Sequence, residues 1–375
     1  MTVAAYGASA QESGSVATDT APAQGIVTTD VTEPQPLAPT ATNGGNEWVV
    51  APIPTLNPSQ GYGLQVIGQY IFGTSAAVRD ADAKPSVLAA GGFYTEKDSW
   101  GAFAGYLGHL KDDQWRALVG GGYMSLNYDF YGTGNQLADL DLAIPIEQTA
   151  SFGAVQLLHR VIPHLYAGVR LLAYETDIAS KGVDRPPVTL PPAEHNTSAY
   201  ASGAIVQWDS RDNQFFPTRG QLANASAVWT NGDHSYETYE LEWNLYAPLG
   251  KPSRVLAMRA YLGEVSGDAP FYALMQFGWH NDLRGYESGK FRDSSMFATQ
   301  LEYRGSLGAR WGYVAFAGVG EVAPSIGKMN TDDLLSSAGV GVRLRLAKNN
   351  PVNLRLDWAY GKDGDAVYLA VGEAF

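Results

Sequence analysis

The sequence predicts an all-β protein, a sixteen-stranded antiparallel β-barrel that crosses a membrane with its strands. Three observations carry this. Glycine and aromatic residues are abundant, with Gly 42, Tyr 21 and Trp 9 in 375 residues, while charged residues reach only 17%; these are the residues of strands, turns and interfaces. From Trp48 onward, apolar and polar residues alternate with a period of two between Gly, Pro, Asp and Asn turns. The alternating segments number sixteen, and short connections between them alternate with long ones.

Composition also excludes. No run of about 18 apolar residues occurs, so no transmembrane helix is expected. A membrane barrel shows only alternate side chains to lipid and keeps an ordinary mean hydropathy, here -0.16. The absence of Cys removes disulfides, thiolate metal sites and thiol nucleophiles. A formal charge of -13 argues against nucleic acid, which needs a basic surface.

Along the chain, residues 1–10 end in Ala8-Ser9-Ala10, the small-x-small pattern of a signal-peptidase site, without a basic start or a full apolar stretch. They read as the remnant of a signal peptide. Residues 11–46 are rich in Ala, Thr, Pro, Gly and acids, with little to bury, and read as a disordered periplasmic tail. Residues 47–375 are assigned to the barrel. Its strands are expected at 48–56, 61–72, 86–95, 99–110, 114–130, 148–161, 164–176, 198–210, 220–229, 235–247, 253–265, 295–307, 310–322, 336–347, 350–360 and 365–375. An even number puts both ends on one side of the membrane. The tight connections at 162–164, 249–253 and 348–351 fall on that side, and the long ones at 131–147, 177–197 and 266–294 fall opposite.

The faces of the strands decide between a sandwich and a membrane barrel. In 350–360, Val352, Leu354, Leu356, Trp358 and Tyr360 oppose Asn353, Arg355 and Asp357. In 336–347, Val340, Val342, Leu344 and Leu346 oppose Arg343 and Arg345, and in 235–247, Tyr239, Leu241, Trp243 and Leu245 oppose Glu240 and Glu242. Arg and Glu dominate the polar faces and the apolar faces end in Trp and Tyr, as a charged lumen and aromatic girdles require. Glu240, Glu242, Arg343, Arg345, Arg355 and Asp357 are therefore expected to line the lumen. The first segment carries Pro52 and Pro54, and proline cannot donate to a ladder. The seam between first and last strands should be short of hydrogen bonds.

Four stretches carry a resemblance: "LRGY" (283–286) in the sixth long loop, "WDSRDNQFFPTRGQL" (208–222), "LEYRGSLG" (301–308) and the terminal aromatic Phe375. In this order they resemble the BamA/TamA superfamily of outer-membrane barrels, also called the outer membrane protein 85 superfamily, over about 48–375. The resemblance implies a bacterial outer-membrane location, a sixth loop folded into the lumen by its arginine, and an assembly-signal role for Phe375. Two departures stand out. Family members usually carry POTRA domains before the barrel that recruit client chains, and here only the tail precedes it, so a barrel-only branch is expected. The family also often places an Asp on strand thirteen beside the loop arginine, where "FAGVGEV" (316–322) offers Gly318, so the family's second acidic partner should be missing. Glu373 is atypical within the terminal signal.

On the residues themselves, Arg284 in a confined lumen needs carboxylates, and Glu302 shares the parity of Arg304, opposite Leu301 and Tyr303. Gly285 permits a tight backbone and Tyr286 can pack on the wall. An enzyme is not expected. The six His show no ligand spacing, no nucleophile elbow or phosphate loop occurs, and no metal or cofactor is implied. Glu240 and Glu242 could mimic a glycosidase pair but fit a channel lining better. The functional expectation is biogenesis, or translocation of protein or lipid, through a weak seam. The alternatives are a passive or gated diffusion pore and a structural, oligomeric barrel. Expected partners are outer-membrane lipid and lipopolysaccharide, a polypeptide client and further copies of the chain.

Overall fold

The computed structural model describes residues 46–375 apart from 58–60, 73–83, 135–142, 181–182, 186–187, 191–192, 279–282, 347–351 and 363. The readings of 1–10 as a signal remnant and of 11–45 as a tail lie outside the described residues. Sixteen antiparallel strands form one sheet: β1 (Glu47–Asn57), β2 (Gly61–Ile71), β3 (Val87–Thr95), β4 (Trp100–Leu110), β5 (Trp115–Phe130), β6 (Ile144–Ile162), β7 (Leu165–Ser180), β8 (Ala193–Asp209), β9 (Gly220–Gly232), β10 (Tyr236–Leu249), β11 (Lys251–Gly267), β12 (Ser295–Leu307), β13 (Trp311–Ala323), β14 (Leu335–Arg345), β15 (Asn353–Gly361) and β16 (Gly364–Val371). The order in the sheet is the order in the chain, so every neighbour is reached by a hairpin. A second, small hairpin (183–185 with 188–190) decorates the connection between β7 and β8.

The registers explain the alternation. Val340 stands opposite Trp358, Val342 opposite Leu356 and Leu344 opposite Leu354, while Gly341 faces Asp357 and Arg343 faces Arg355. Trp358 is 46% exposed and Asp357 0%. This inverts the water-soluble rule: greasy residues are outside and charges inside, which suits lipid outside and excludes a sandwich. The same inversion holds on β10, where Tyr239, Leu241 and Trp243 are exposed while Asn244 and Tyr246 are buried.

Strand ends differ from expectation in one direction at the long-loop end. β6, β7 and β8 continue to Ile144, Ser180 and Ala193 through Glu147, Glu175, Asp177 and Asn196. The outward-facing residues there are polar (Glu147, Glu175, Asp177) while Ile146 and Ile178 are buried on the inner face, so backbone pairing continues after the outward apolar residues that reveal it have stopped. At the other extreme, the last strand ends at Val371 instead of 375. Gly372 takes φ 96°, a left-handed conformation that suits glycine, and turns the chain out of the strand.

The closing edge is unlike the rest. A continuous ladder joins every neighbouring pair from β1–β2 to β15–β16. β1 and β16 come within 8 Å between Cα atoms, yet among the described residues no ladder joins them. The side chains of Pro52 and Pro54 point outward from β1 at this edge. Because β1 pairs with β2 along its whole length, the two nitrogens without hydrogens are accommodated on the seam side, where no ladder exists to break.

Candidate functional site: a buried arginine on three strands

The connection between β11 and β12 is built from short local pieces: a 3-10 turn (Phe271–Ala273) and a two-residue ladder of Met275–Gln276 with Arg292–Asp293. Its apolar residues Met275, Phe277, Leu283, Tyr286 and Phe291 form one cluster with Tyr236, Tyr261, Val265, Met296, Ala298, Val322 and Leu335 of the wall. This is the largest buried apolar cluster among the described residues. It presents the Arg-Gly-Tyr step to the polar face of β12–β16.

Arg284 is fully buried there. Its Nη2 donates to Glu302 Oε2 at 2.6 Å, Nη1 to Asp357 Oδ2 at 2.7 Å, and Nε to Gln300 Oε1 at 3.2 Å. The guanidinium plane lies over the Phe316 ring, with Cζ 3.4 Å from its centroid. β12, β13 and β15 thus each supply a contact, and a planar fork is what lets one side chain reach two carboxylates and a ring together. The two residues after it complete the grip. Gly285 has φ 110°, and a Cβ there would stand 3.1 Å from the Gly361 nitrogen, so only glycine sits this close to β15. The Gly285 amide donates to the Tyr368 hydroxyl of β16 at 2.8 Å, and the Tyr286 hydroxyl donates to the Ser336 carbonyl of β14 at 2.7 Å.

The network extends along the wall. Arg304 Nε donates to Glu302 Oε1 at 2.7 Å, Arg343 pairs with Asp357, and Arg355 Nη1 stands 3.7 Å from Asp357 Oδ2. Arg343 Nε donates to Glu373 Oε2 at 2.8 Å, so the residue that departs from the family's terminal pattern is a counter-charge here. Four guanidiniums (284, 304, 343, 355) thus share three side-chain carboxylates (302, 357, 373).

Residues 104–375 match the Omp85 superfamily domain. The chain belongs to the Omp85 superfamily. Among solved structures it is similar to BamA from Haemophilus ducreyi lacking POTRA domains 1–3, at 15% identity and a TM-score of 0.55 over 88% of this chain and 70% of that one. It is also similar to CdiB from Acinetobacter baumannii (10% identity, TM-score 0.53, 87% of this chain) and CdiB from Escherichia coli (11%, 0.53, 87%), spanning 59% and 62% of those chains. These identities show a shared barrel fold. No curated protein matches the chain.

Against the Omp85 pattern, the second acidic contact of the loop arginine is present but comes from β15. The place on β13 is closed: a Cβ at Gly318 would lie 2.6 Å from Gln300 Cγ and 2.9 Å from Leu283 Cδ1, so the loop itself occupies that space. Gly318 leaves that place on β13 without a carboxylate, and the contact that was not foreseen is Asp357 of β15, whose parity was legible but whose height relative to Arg284 was not. Phe375 lies beyond the last strand and packs against Tyr246, Val255 and Ala257, with Arg304 Cζ 5.4 Å from its ring centroid.

The other singled-out residues lie elsewhere on the wall. Glu240 accepts from Tyr261 Oη at 2.9 Å and Ser226 Oγ at 3.2 Å, and Glu242 pairs with Arg259 at 3.3 Å. Arg345 sits at the short-turn end of β14, away from Arg284, half-buried near Phe216 and Asn353. Residues 281–282 of the loop motif lie outside the described residues. Sequence reasoning missed Phe316, Gln300 and Tyr368, which carry no charge signal and are found only by register. Among the described residues no group of three or more His, Asp or Glu is placed to hold a metal ion.

Proposed function

We propose that this chain is a non-enzymatic barrel of the bacterial outer membrane that acts on membrane-embedded polypeptide or lipid at its β1–β16 seam, with the loop bearing Arg284 folded into the lumen as a latched plug. The observation that carries the reading is the seam: among the described residues every other neighbouring pair of strands is zipped, and this one is not. An unpaired strand edge is a template for adding another strand, which makes a polypeptide client the natural occupant. The Arg284 network supports the same reading, because a lumen filled by a held loop leaves the wall as the route of action. The short-turn end then faces the periplasm. The exposed apolar bands meet outer-membrane lipid, with lipopolysaccharide around the long-loop end, and a second copy could pair at the same edge.

The test is to replace one residue of β1 and one facing residue of β16 with cysteine, in a chain that otherwise has none, and to compare oxidised with reduced protein in a deletion strain. Envelope permeability and the outer-membrane protein profile should be restored by the reduced form and not by the locked form. Equal complementation by both would overturn seam action. Steady, large channels in planar bilayers would favour the pore instead.

A further inference from the structure

The "WDSRDNQFFPTRGQL" stretch (208–222) lies outside the loop that carries Arg284. It turns from β8 into β9, which in a ring of sixteen strands lie opposite the β1–β16 seam. Yet its tip makes contacts on the far walls. Phe215 packs against a buried cluster at the short-turn end, formed by the inward-facing Val49 of β1, Ile71 of β2 and Val87 of β3 with Val352, just before β15. Gln214 Nε2 donates to the Pro85 carbonyl at 3.0 Å, just before β3. Phe216 borders a small cavity with Arg304 of β12, Arg343 of β14 and Asn353 of β15. A turn that leaves β8 can touch β1–β3 and β12–β15 together only by crossing the opening.

The turn is built to hold that shape. At its base Asp209 takes Lys84 Nζ at 2.5 Å, Arg116 Nη1 at 2.9 Å and Arg211 Nε at 3.0 Å, tying β5 and the β2–β3 connection to the end of β8. Within it, the Asn213 side chain accepts from the amides of Phe215 and Phe216 at 2.8 and 3.0 Å. Asp212 accepts from the amides of Thr218 at 2.9 Å and Arg219 at 3.3 Å, as well as from the Thr218 hydroxyl. Side chains that cap their own backbone in this way fix a turn without help from neighbouring strands.

We infer that residues 210–219 form a second plug, a floor across the short-turn end of the barrel with Phe215 and Phe216 as its sealing residues and Asp209 as its anchor. The barrel then has no through-passage even where the Arg284 loop moves. This goes beyond the seam reading and does not depend on it, since a sealed floor is compatible with an active or an inactive seam.

Two measurements on the full chain in micelles test it. First, a Gln214→Cys/Pro85→Cys pair should be joined by a short bifunctional thiol cross-linker spanning about 8 Å, since the Gln214 side chain, and not its backbone, bridges to the Pro85 carbonyl; no cross-link means that the turn does not reach the far wall. Second, a single cysteine at Ser226, on the polar face of β9, is labelled with a bulky, charged maleimide. Labelling of an enclosed thiol follows the population of the open form, so it should be about tenfold faster in Phe215→Ala/Phe216→Ala than with both rings present. Equal rates in the two, with both proteins heat-modifiable on a gel, would overturn the floor.

Discussion

Replacing Arg284 by Ala removes a buried guanidinium that donates at 2.6 Å to Glu302 and 2.7 Å to Asp357 and stacks at 3.4 Å on Phe316. Breaking a buried ion pair costs about 3–5 kcal/mol when the remaining charge is stranded. Here neither carboxylate is stranded: Glu302 keeps Arg304 at 2.7 Å and Asp357 keeps Arg343. The three guanidiniums that remain match the three side-chain carboxylates. Two charge-assisted hydrogen bonds and the stacking are lost, but the desolvation of a buried guanidinium is relieved, which leaves a net cost of about 1.5–3 kcal/mol. Glu302→Gln is the informative comparison, because it leaves four guanidiniums with two carboxylates and should cost about 3–5 kcal/mol. The assay is the temperature at which half of the protein loses its heat-modifiable band, supported by urea unfolding followed by tryptophan fluorescence. Both variants should unfold earlier than the parent, Glu302→Gln earlier than Arg284→Ala, and the double variant should show coupling of about 0.5–3 kcal/mol. Arg284→Ala with an unchanged midpoint, or a Glu302→Gln milder than Arg284→Ala, would refute the reasoning.

Other outcomes follow from the same geometry. Gly318→Asp restores the family's carboxylate on β13 but places its Cβ 2.6 Å from Gln300 Cγ and 2.9 Å from Leu283 Cδ1; the expected result is a lower folded yield, read as the heat-modifiable fraction, and not a tighter latch. Pro52→Val/Pro54→Val returns two donors to the seam edge of β1, and should slow amide exchange in β16 and raise the unfolding temperature. Lys84, in the connection before β3, has its pKa pushed down from 10.5 to about 8 by burial and by the nearby Arg116 and Arg211 charges, against the pull of Asp209. Its folded value is below its unfolded value, so the unfolded chain binds more protons between these limits and stability rises with pH across about 8 to 10.5. Urea midpoints measured over this range should climb in the parent, and Lys84→Met should remove this contribution to the slope.

Much of the barrel was legible because a lipid-facing wall imposes a period of two on every strand. Val340, Val342 and Leu344 against Arg343 and Arg345 need no partner to be read, and the same parity placed Glu302 and Asp357 on the polar face. Strand ends were less legible where that demand lapses, as in the polar extensions of β6 to β8. The end of β16 was missed because a single glycine, Gly372, turns the chain at a place where alternation alone would continue.

The sequence by itself determined the all-β class, the number of strands, which face of each meets lipid, and that Arg284 must find acids on the polar wall. These are local properties, set by residue type and periodicity. Only the tertiary structure decided which acids those are, that Asp357 stands at the height of Arg284 while Gly318 is closed by Leu283, and that the tip of the β8–β9 turn meets strands far from it around the ring. Relative height depends on the stagger accumulated over many strand pairs, and contact across the opening depends on the sheet curling round. Neither quantity is written in any one stretch of chain.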